Sequence, residues 1–226
     1  MLLKQPCFLS SQRHIKLSLF LIGLLSVFSV SATFIISDAL LTQIKNKYGQ
    51  EAFVRIEQWQ QLIDTAKNLP EKEKLVQVNQ FFNQRIEFIA DIYLWSVNDY
   101  WATPLEFLSK GAGDCEDFSI AKYFTLLEVG VAEEKMRLTY VKAVKLNQAH
   151  MVLTYFPSPR AIPLVLDNLI PQIKPANQRT DLLPVYSFNG TGLWLAKARG
   201  LGKKVGKASR LNMWNELKNR MLSNTF

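Results

Sequence analysis

Residues 111–118 read Gly-Ala-Gly-Asp-Cys-Glu-Asp-Phe, and the predicted fold is organised around this stretch. Its two glycines let the backbone turn sharply, and a helical pattern then runs as far as Gly130. Cys115 therefore lies at the start of a helix, where unpaired amides and the positive end of the helix dipole favour the thiolate over the thiol. Because the thiolate is the reactive form, the stretch predicts a cysteine nucleophile.

The acidic residues around this cysteine have a purely structural interpretation as well. Asp114 is a good N-terminal cap, and Asp117, three residues later, completes a pattern similar to a capping box. Capping alone accounts for these acids but not for the cysteine, which as a core filler would more usually lie in the middle of a helix. The local spacing therefore favours a nucleophile over a structural cysteine.

The 226 residues are 48% hydrophobic and 20% charged, which is enough for one sizeable core or two small domains and excludes a low-complexity chain. The N-terminus differs from the rest of the chain. Lys4, Arg13 and Lys16 precede residues 17–36, which contain no charged side chain. This pattern predicts a signal for export or a membrane anchor.

The sequence Val30-Ser31-Ala32 fits the small-residue rule for signal peptidase, so we expect residues 1–32 to be a cleaved signal peptide. An uncleaved transmembrane helix is the alternative, since 20 uncharged residues can also span a bilayer. In either case residues 33–226 form a single domain outside the cytoplasm. Removing residues 1–32 lowers the net charge from +8 to 8 − 3 = +5, and we expect no nucleic-acid partner.

Cysteine and histidine are both scarce in this chain. Cys7 and His14 lie in the predicted leader, so the exported part keeps only Cys115 and His150. A lone cysteine in an oxidising compartment cannot form an internal disulfide and needs another reason to be there. His150 alone could be a core residue, and Asp167 alone could form a turn. Taken together, the three residues favour a catalytic set.

The hydrophobic spacing predicts helices before and around Cys115 and strands after it. The predicted helices are residues 38–69, a helix after Pro70, residues 104–108, the Cys115 helix and a final basic helix to about residue 222. The predicted strands are residues 138–146, 149–156, 164–167 and a hairpin in 181–196. This order places His150 and Asp167 on neighbouring strands of a sheet against which the Cys115 helix packs, in an α+β fold.

A nucleophile on a helix, a base on a strand and an acid on the next strand is the order found in papain-like and transglutaminase-like cysteine enzymes. In that arrangement His150 takes the Cys115 proton, and Asp167 fixes the orientation of the imidazole. The backbone amide of Cys115 is one expected donor to the oxyanion. Trp95 or Trp101 could supply an indole N–H as the second donor, or could simply pack in the core.

Five stretches carry a resemblance to a known family. They are residues 100–108 (Tyr-Trp-Ala-Thr-Pro-Leu-Glu-Phe-Leu), 111–118, 149–153 (Ala-His-Met-Val-Leu), 165–168 (Val-Leu-Asp-Asn) and 184–189 (Pro-Val-Tyr-Ser-Phe-Asn). Together they cover most of residues 95–196, and they resemble the bacterial transglutaminase-like cysteine proteinases. The resemblance implies a papain-like or transglutaminase-like fold with the nucleophile helix packed on an antiparallel sheet, and a triad of Cys115, His150 and Asp167.

The same resemblance implies a calcium-dependent cysteine endopeptidase of the periplasm. Its expected substrate is a large surface adhesin, cut near the N-terminus at a di-alanine site, so that cleavage controls biofilm attachment. The expected inhibitor is an inner-membrane cyclic-di-GMP receptor. Two other functions stay open from the residues alone. One is a transglutaminase-type acyl transferase with the same triad, and the other is a calcium-binding interaction module whose triad is vestigial.

The calcium ligands that the resemblance implies are Asp114 and Glu116, with Asp117 as a further ligand. Three carboxylates beside a thiol should raise its pKa and suppress the thiolate. A hard divalent cation bound by their oxygens would remove that penalty. The alternative is that the acids cap the helix and face water.

Overall fold

The structure is a computed structural model that describes residues 36–195 and 202–223. The predicted leader and its cleavage site lie outside the described residues. Within the described residues, no helix is both long enough and apolar enough to cross a membrane.

The described helices fall mainly in the first part of the chain. They are α1 (Asp38–Tyr48), α2 (Gln50–Ala66), α3 (Glu71–Arg85), α4 (Asp91–Leu94), α5 (Pro104–Lys110), α6 (Cys115–Glu128) and, near the C-terminus, α7 (Asn212–Ser223). The prediction of one continuous helix over residues 38–69 is wrong. Gly49 has φ 91°, a value that favours glycine, and it ends α1 and begins α2.

The strands form two sheets. A short parallel pair joins β1 (Glu87–Phe88) to β2 (Ala112–Gly113). The larger, antiparallel sheet has the order β6-β5-β4-β3-β7-β8-β9. Its strands are β3 (Met136–Ala143), β4 (Gln148–Tyr155), β5 (Leu164–Leu166), β6 (Lys174–Pro175), β7 (Leu182–Phe188), β8 (Leu193–Leu195) and β9 (Lys203–Gly206). The predicted fold class, helices with an antiparallel sheet, is confirmed.

The predicted hairpin of β3 and β4 is confirmed, and Asn147, at its turn, has φ 53°. The hairpin of β7 and β8 is confirmed as well. The predicted final helix to about residue 222 is present as α7, but it begins only at Asn212, after an edge strand, β9, that was not predicted. The four residues of β9 are Lys-Lys-Val-Gly, which show no alternation of apolar and polar side chains, so the strand could not be predicted from periodicity.

Helix α6 packs on the face of the sheet that carries Met151 and Leu153 of β4, and Phe118 and Ala121 of α6 are buried in the same core. Residues of a strand alternate between its two faces. The opposite face therefore presents a second, smaller apolar cluster that includes Val152. His150 lies on β4 two residues before Val152, and the backbone of the next residue, Met151, is bonded to α6 through Ser119.

Candidate active site

The turn that delivers Cys115 is fixed by two glycines. Gly111 has φ 70° and ends α5, and at Gly113 an added Cβ would meet Asp117 Oδ2 at 2.4 Å and the Phe107 ring at 2.6 Å. No side chain larger than glycine fits at residue 113 without moving the start of α6. The close turn therefore places Cys115 as the first residue of the helix.

The predicted cap at this helix start is present. The Asp114 side chain accepts a hydrogen bond from the Glu116 amide at 3.3 Å, and Asp117 Oδ2 accepts from the Asp114 amide at 3.3 Å. Asp117 also accepts from the Ala102 amide at 2.7 Å. These bonds satisfy amides that have no intrahelical acceptor. Asp114 and Asp117 thus hold the helix start in place, whatever else they bind.

The Cys115 side chain is 8% exposed. Its thiol donates to Glu116 Oε2 at 2.8 Å. Burial raises the pKa of the Cys115 thiol well above its usual value, and the Glu116 and Asp114 carboxylates raise it further. The backbone of Met151 opposes these effects. In this arrangement burial, together with the nearby carboxylates, favours the thiol over the thiolate.

The structure brings His150 and Asp167 into direct contact. His150 Nε2 and Asp167 Oδ1 are 2.8 Å apart, and both side chains are buried. Although burial acts to raise it, hydrogen bonds from His150 and Arg179 hold the pKa of Asp167 at about 2. The carboxylate is therefore ionised at neutral pH. As acceptor for Nε2–H, it leaves the other ring nitrogen, Nδ1, unprotonated in the neutral imidazole.

Cys115 and His150 come from α6 and β4, and these elements are joined next to both residues. Ser119 Oγ, one turn after Cys115, donates to the backbone oxygen of Met151 at 3.0 Å. The Met151 backbone also lies against the Cys115 sulfur. Within the described part of the chain no hydrogen bond joins the thiol to the imidazole, because the thiol is turned towards Glu116.

An acidic cluster lies beside the cysteine. Carboxylate oxygens of Asp91, Asp114 and Asp117 lie within 4.8 Å of one another. In a second group, ligand atoms of Asp114, Cys115 and Glu116 also lie within 4.8 Å of one another. Asp114 belongs to both groups. All three predicted metal ligands therefore lie in these groups. Asp114 is in both, Asp117 is in the first only, and Glu116 is in the second only.

Asp91 is a member of this cluster that the sequence did not indicate. It lies 23 residues before Asp114 and begins the short helix α4, in an aromatic-rich segment without clear periodicity. Its place beside Asp117 depends on the tertiary fold, so local spacing could not find it. The Tyr100 amide donates to its Oδ2, whereas its buried Oδ1 has no hydrogen-bond partner among the described residues.

The donor set of this cluster fits a hard cation. Burial raises the pKa of Asp114 to about 8 and that of Asp91 to about 6, and neighbouring carboxylates add to both shifts. Burial and Asp114 also raise the pKa of the fully buried Asp117. All candidate ligand atoms of this trio are oxygens, which calcium prefers, and the unpartnered Asp91 oxygen provides a free ligand position.

Neither candidate tryptophan is joined to Cys115 by a hydrogen bond in the described residues. Trp101 is buried and stacks on Phe188, with ring centroids 5.7 Å apart. The Trp95 ring packs against the Tyr100 ring, with centroids 4.5 Å apart. Both rings pack against aromatic neighbours, and an indole N–H as the second oxyanion donor stays a prediction. The backbone N–H of Cys115, at the first position of α6, has no intrahelical acceptor and is free to serve an oxyanion.

Comparisons with known proteins agree with this geometry. A family model described as bacterial transglutaminase-like cysteine proteinase matches residues 38–194. Among solved structures, EGTA-treated LapG of Legionella pneumophila is 44% identical, with a TM-score of 0.72 over 83% of this chain and 98% of the LapG chain. Calcium-bound Legionella pneumophila LapG is also 44% identical, with a TM-score of 0.70 over 82% and 99% of the two chains. A search of curated proteins finds no match.

Proposed function

Since this chain belongs to the bacterial transglutaminase-like cysteine proteinases, we propose that it is a calcium-dependent cysteine endopeptidase whose triad is Cys115, His150 and Asp167. The observation that carries the assignment is the 2.8 Å contact between His150 and Asp167, beside a helix that begins at Cys115. No other cysteine lies within residues 33–226.

The proton path follows from the hydrogen bond that His150 already makes. Because Nε2 is bonded to Asp167, Nδ1 accepts the Cys115 proton once the thiol turns away from Glu116. The sulfur then attacks the scissile carbonyl carbon, and the backbone N–H of Cys115 donates to the oxygen as it becomes negative.

The second half of the reaction uses the same histidine as an acid and then as a base. Nδ1–H gives its proton to the leaving amine, and the acyl group stays on sulfur as a thioester. Water then loses a proton to Nδ1 and attacks the thioester, which releases the new carboxyl terminus and the thiol. Asp167 remains ionised throughout and stabilises the imidazolium that forms at each step.

For the metal, we propose that Asp114, Glu116 and Asp117 are ligands, as the resemblance implies, and that Asp91 joins them. The likeness to a structure of calcium-bound LapG supports calcium as the ion. When bound, calcium would supply positive charge that offsets the carboxylates and lowers the pKa of the Cys115 thiol. Glu116 would then no longer hold the thiol proton, which frees the side chain to turn towards His150.

We further propose the biological setting that the family resemblance suggests. The substrate is the N-terminal region of a large surface adhesin with a di-alanine site, and cleavage releases the adhesin and so controls biofilm attachment. The enzyme works in the periplasm, and an inner-membrane cyclic-di-GMP receptor holds it inactive. The charge pattern of residues 1–36 supports export of the chain.

Product analysis tests the reaction type. The full chain is incubated with an adhesin N-terminal segment from the same organism, with and without excess cadaverine, and the products are identified by mass spectrometry. An endopeptidase yields two fragments and a free carboxyl terminus, with or without the amine. An uncut segment that carries cadaverine on its side chains would show an acyl transferase instead.

A further inference from the structure

The two oxygens of the Asp167 carboxylate have different partners. Oδ1 faces His150 Nε2 at 2.8 Å and also accepts from the Leu169 amide at 3.1 Å. Oδ2 accepts from Arg179 Nη2 at 2.7 Å. Asp167 is 1% exposed and Arg179 is 2% exposed, so water contributes little to holding either group. Among the described residues, Arg179 is thus the only charged side chain that bonds Oδ2 of the carboxylate.

Arg179 is itself held from the other direction. Its Nε donates to Asp181 Oδ1 at 2.9 Å, and its Nη2 donates to Asp181 Oδ2 at 2.7 Å. Such a two-point pair fixes the plane of the guanidinium as well as its position. Asp181 immediately precedes β7, which pairs with β3 in the main sheet. The sheet therefore anchors Asp181, Asp181 anchors Arg179, and Arg179 anchors Asp167.

Asp167 needs this anchor because its own strand is short. It follows β5, which has only three residues and pairs with β4 only as far as Leu166. A buried carboxylate with one side free could rotate about its terminal torsion, which has a broad energy profile. When His150 is neutral, the buried charge of Asp167 would otherwise face only Lys122 among the described cations, and the Lys122 ammonium bonds Asn83 instead of the carboxylate. Arg179 removes both problems.

We infer that Arg179 is a positioning residue of the triad, which acts through Asp167 to keep His150 in the tautomer with the proton on Nε2. The inference rests on the proposed function, in which His150 is the base. Arg179 also borders a cavity of about 550 Å³ on the face of the sheet that carries Val152 and Thr154. Loss of the guanidinium would enlarge this cavity towards Asp167 and let water compete for the carboxylate.

The test uses the full chain and two readouts. Nitrogen-15 NMR of the imidazoles reports the tautomer, and a His14→Gln variant assigns the His150 signals, because the chain has only two histidines. In the wild type we expect His150 to carry its neutral-state proton on Nε2. In Arg179→Ala we expect a mixture of tautomers. Cleavage of the adhesin segment should lose about 10- to 100-fold in kcat with little change in KM, since small misplacements of catalytic groups cost this much.

Arg137→Ala is the matched control. The Arg137 guanidinium stacks on the rings of Phe156 and Trp194, at 4.7 and 4.1 Å, and has no carboxylate partner among the described residues. Its loss removes a half-buried guanidinium from the same sheet without touching the triad. We expect lower thermal stability, an unchanged His150 tautomer and an unchanged kcat.

Two milder variants keep the test decisive if Arg179→Ala fails to fold. Arg179→Lys keeps the charge but not the fork of donors, and Asp181→Asn leaves Arg179 bonded to Asp167 but less firmly held. Both should show partial loss of the Nε2–H tautomer and of kcat. A wild-type tautomer and kcat in the folded variants would overturn the inference. If the wild type cuts no adhesin, the proposed function fails, and the tautomer alone still decides the role of Arg179.

Discussion

At the scale of single residues, the acids around Cys115 have two duties that pull in opposite directions. As caps, Asp114 and Asp117 stabilise the start of α6. As charges, Asp114 and Glu116 oppose the thiolate that proteolysis needs. A capping role alone does not require the carboxylates to lie close to one another and to the buried Asp91. The proposed metal site would account for that crowding, because a bound cation would replace the repulsion between the carboxylates by attraction to the ion.

Asp114→Asn separates capping from metal binding. Asparagine caps helices about as well as aspartate, so the thermal stability of the calcium-free protein should be unchanged or higher. Calcium affinity should fall, because the carboxylate shared by both acidic groups is lost. Calorimetric calcium titration and thermal melts measure the two effects. Asp38→Asn, at the exposed first turn of α1, controls for the loss of an acid at a helix start. Unchanged calcium affinity in Asp114→Asn would contradict the proposed ligand set.

Lys122 should make the stability of the protein depend on pH. It is completely buried in α6, where its ammonium donates to Asn83 Oδ1 at 2.7 Å, and burial lowers its pKa to about 7. An unfolded lysine titrates near pKa 10.4, so between these values the unfolded chain binds a proton that the folded protein does not. The free-energy cost of burying the charged ammonium therefore acts in full below about pH 7. As the pH rises above that value, the folded protein gains stability.

The measurement compares Lys122→Met with the wild type in urea unfolding at several pH values. The stability advantage of Lys122→Met should shrink by about 1 kcal/mol per pH unit between about pH 7.5 and 9.5. Lys142→Met, at an exposed position of β3, controls for the loss of a surface charge. Its free energy of unfolding should change with pH in parallel with that of the wild type. Parallel curves for Lys122→Met would show that Lys122 stays charged in the folded protein.

At the scale of elements, the site is the meeting point of a helix start and a strand end. The turn at Gly113 fixes where α6 begins, and the backbone of β4 fixes where His150 lies. These two elements are in contact through Ser119 and Met151. A small displacement of the helix start would therefore move Cys115 relative to a histidine that the sheet holds still.

Gly113→Ala tests how tightly that turn is packed. The new Cβ would lie 2.4 Å from Asp117 Oδ2 and 2.6 Å from the Phe107 ring, so the helix start must shift. We expect a loss of about 1–3 kcal/mol in the free energy of unfolding, as for overpacking in a core, together with reduced cleavage. Chemical denaturation and a cleavage assay measure both.

Gly190→Ala is the matched control for this variant. There the added Cβ meets mainly the end of the Glu133 side chain, at 2.2 Å from Oε1, and a flexible side chain can move away. Its cleavage rate should equal that of the wild type. Wild-type stability and cleavage in Gly113→Ala would mean that the turn tolerates a shift and does not set the position of Cys115.

At the scale of the whole molecule, the sequence predicts the helices and strands better than it predicts the breaks within them or the tertiary contacts between them. The β3–β4 hairpin and the Cys115 helix follow from periodicity and turn residues, and both are confirmed. The break at Gly49 was missed because hydrophobic spacing continues across it. Asp91 and Arg179 were missed for a different reason. Each becomes informative only when tertiary contacts bring it beside a residue that is far away in the chain.

The triad, by contrast, could be proposed from the sequence because cysteine and histidine are rare in this chain. Only one cysteine and one histidine remain after residue 32, and they precede an aspartate in the order that cysteine enzymes use. The structure adds the hydrogen bond between His150 and Asp167 and the acidic cluster beside Cys115. It also shows the thiol bonded to Glu116, a feature that residue order could not indicate.

Cleavage of an adhesin N-terminal segment, followed on a gel in calcium, in magnesium and in chelator, tests whether this protein is a calcium-dependent cysteine endopeptidase. The wild type should cut at one site in calcium only, because magnesium demands a tighter octahedron and gives up water reluctantly. Cys115→Ala, with a melting temperature close to that of the wild type, should cut in none of these conditions. Cleavage by Cys115→Ala, or full wild-type cleavage in chelator, would contradict a calcium-dependent cysteine endopeptidase.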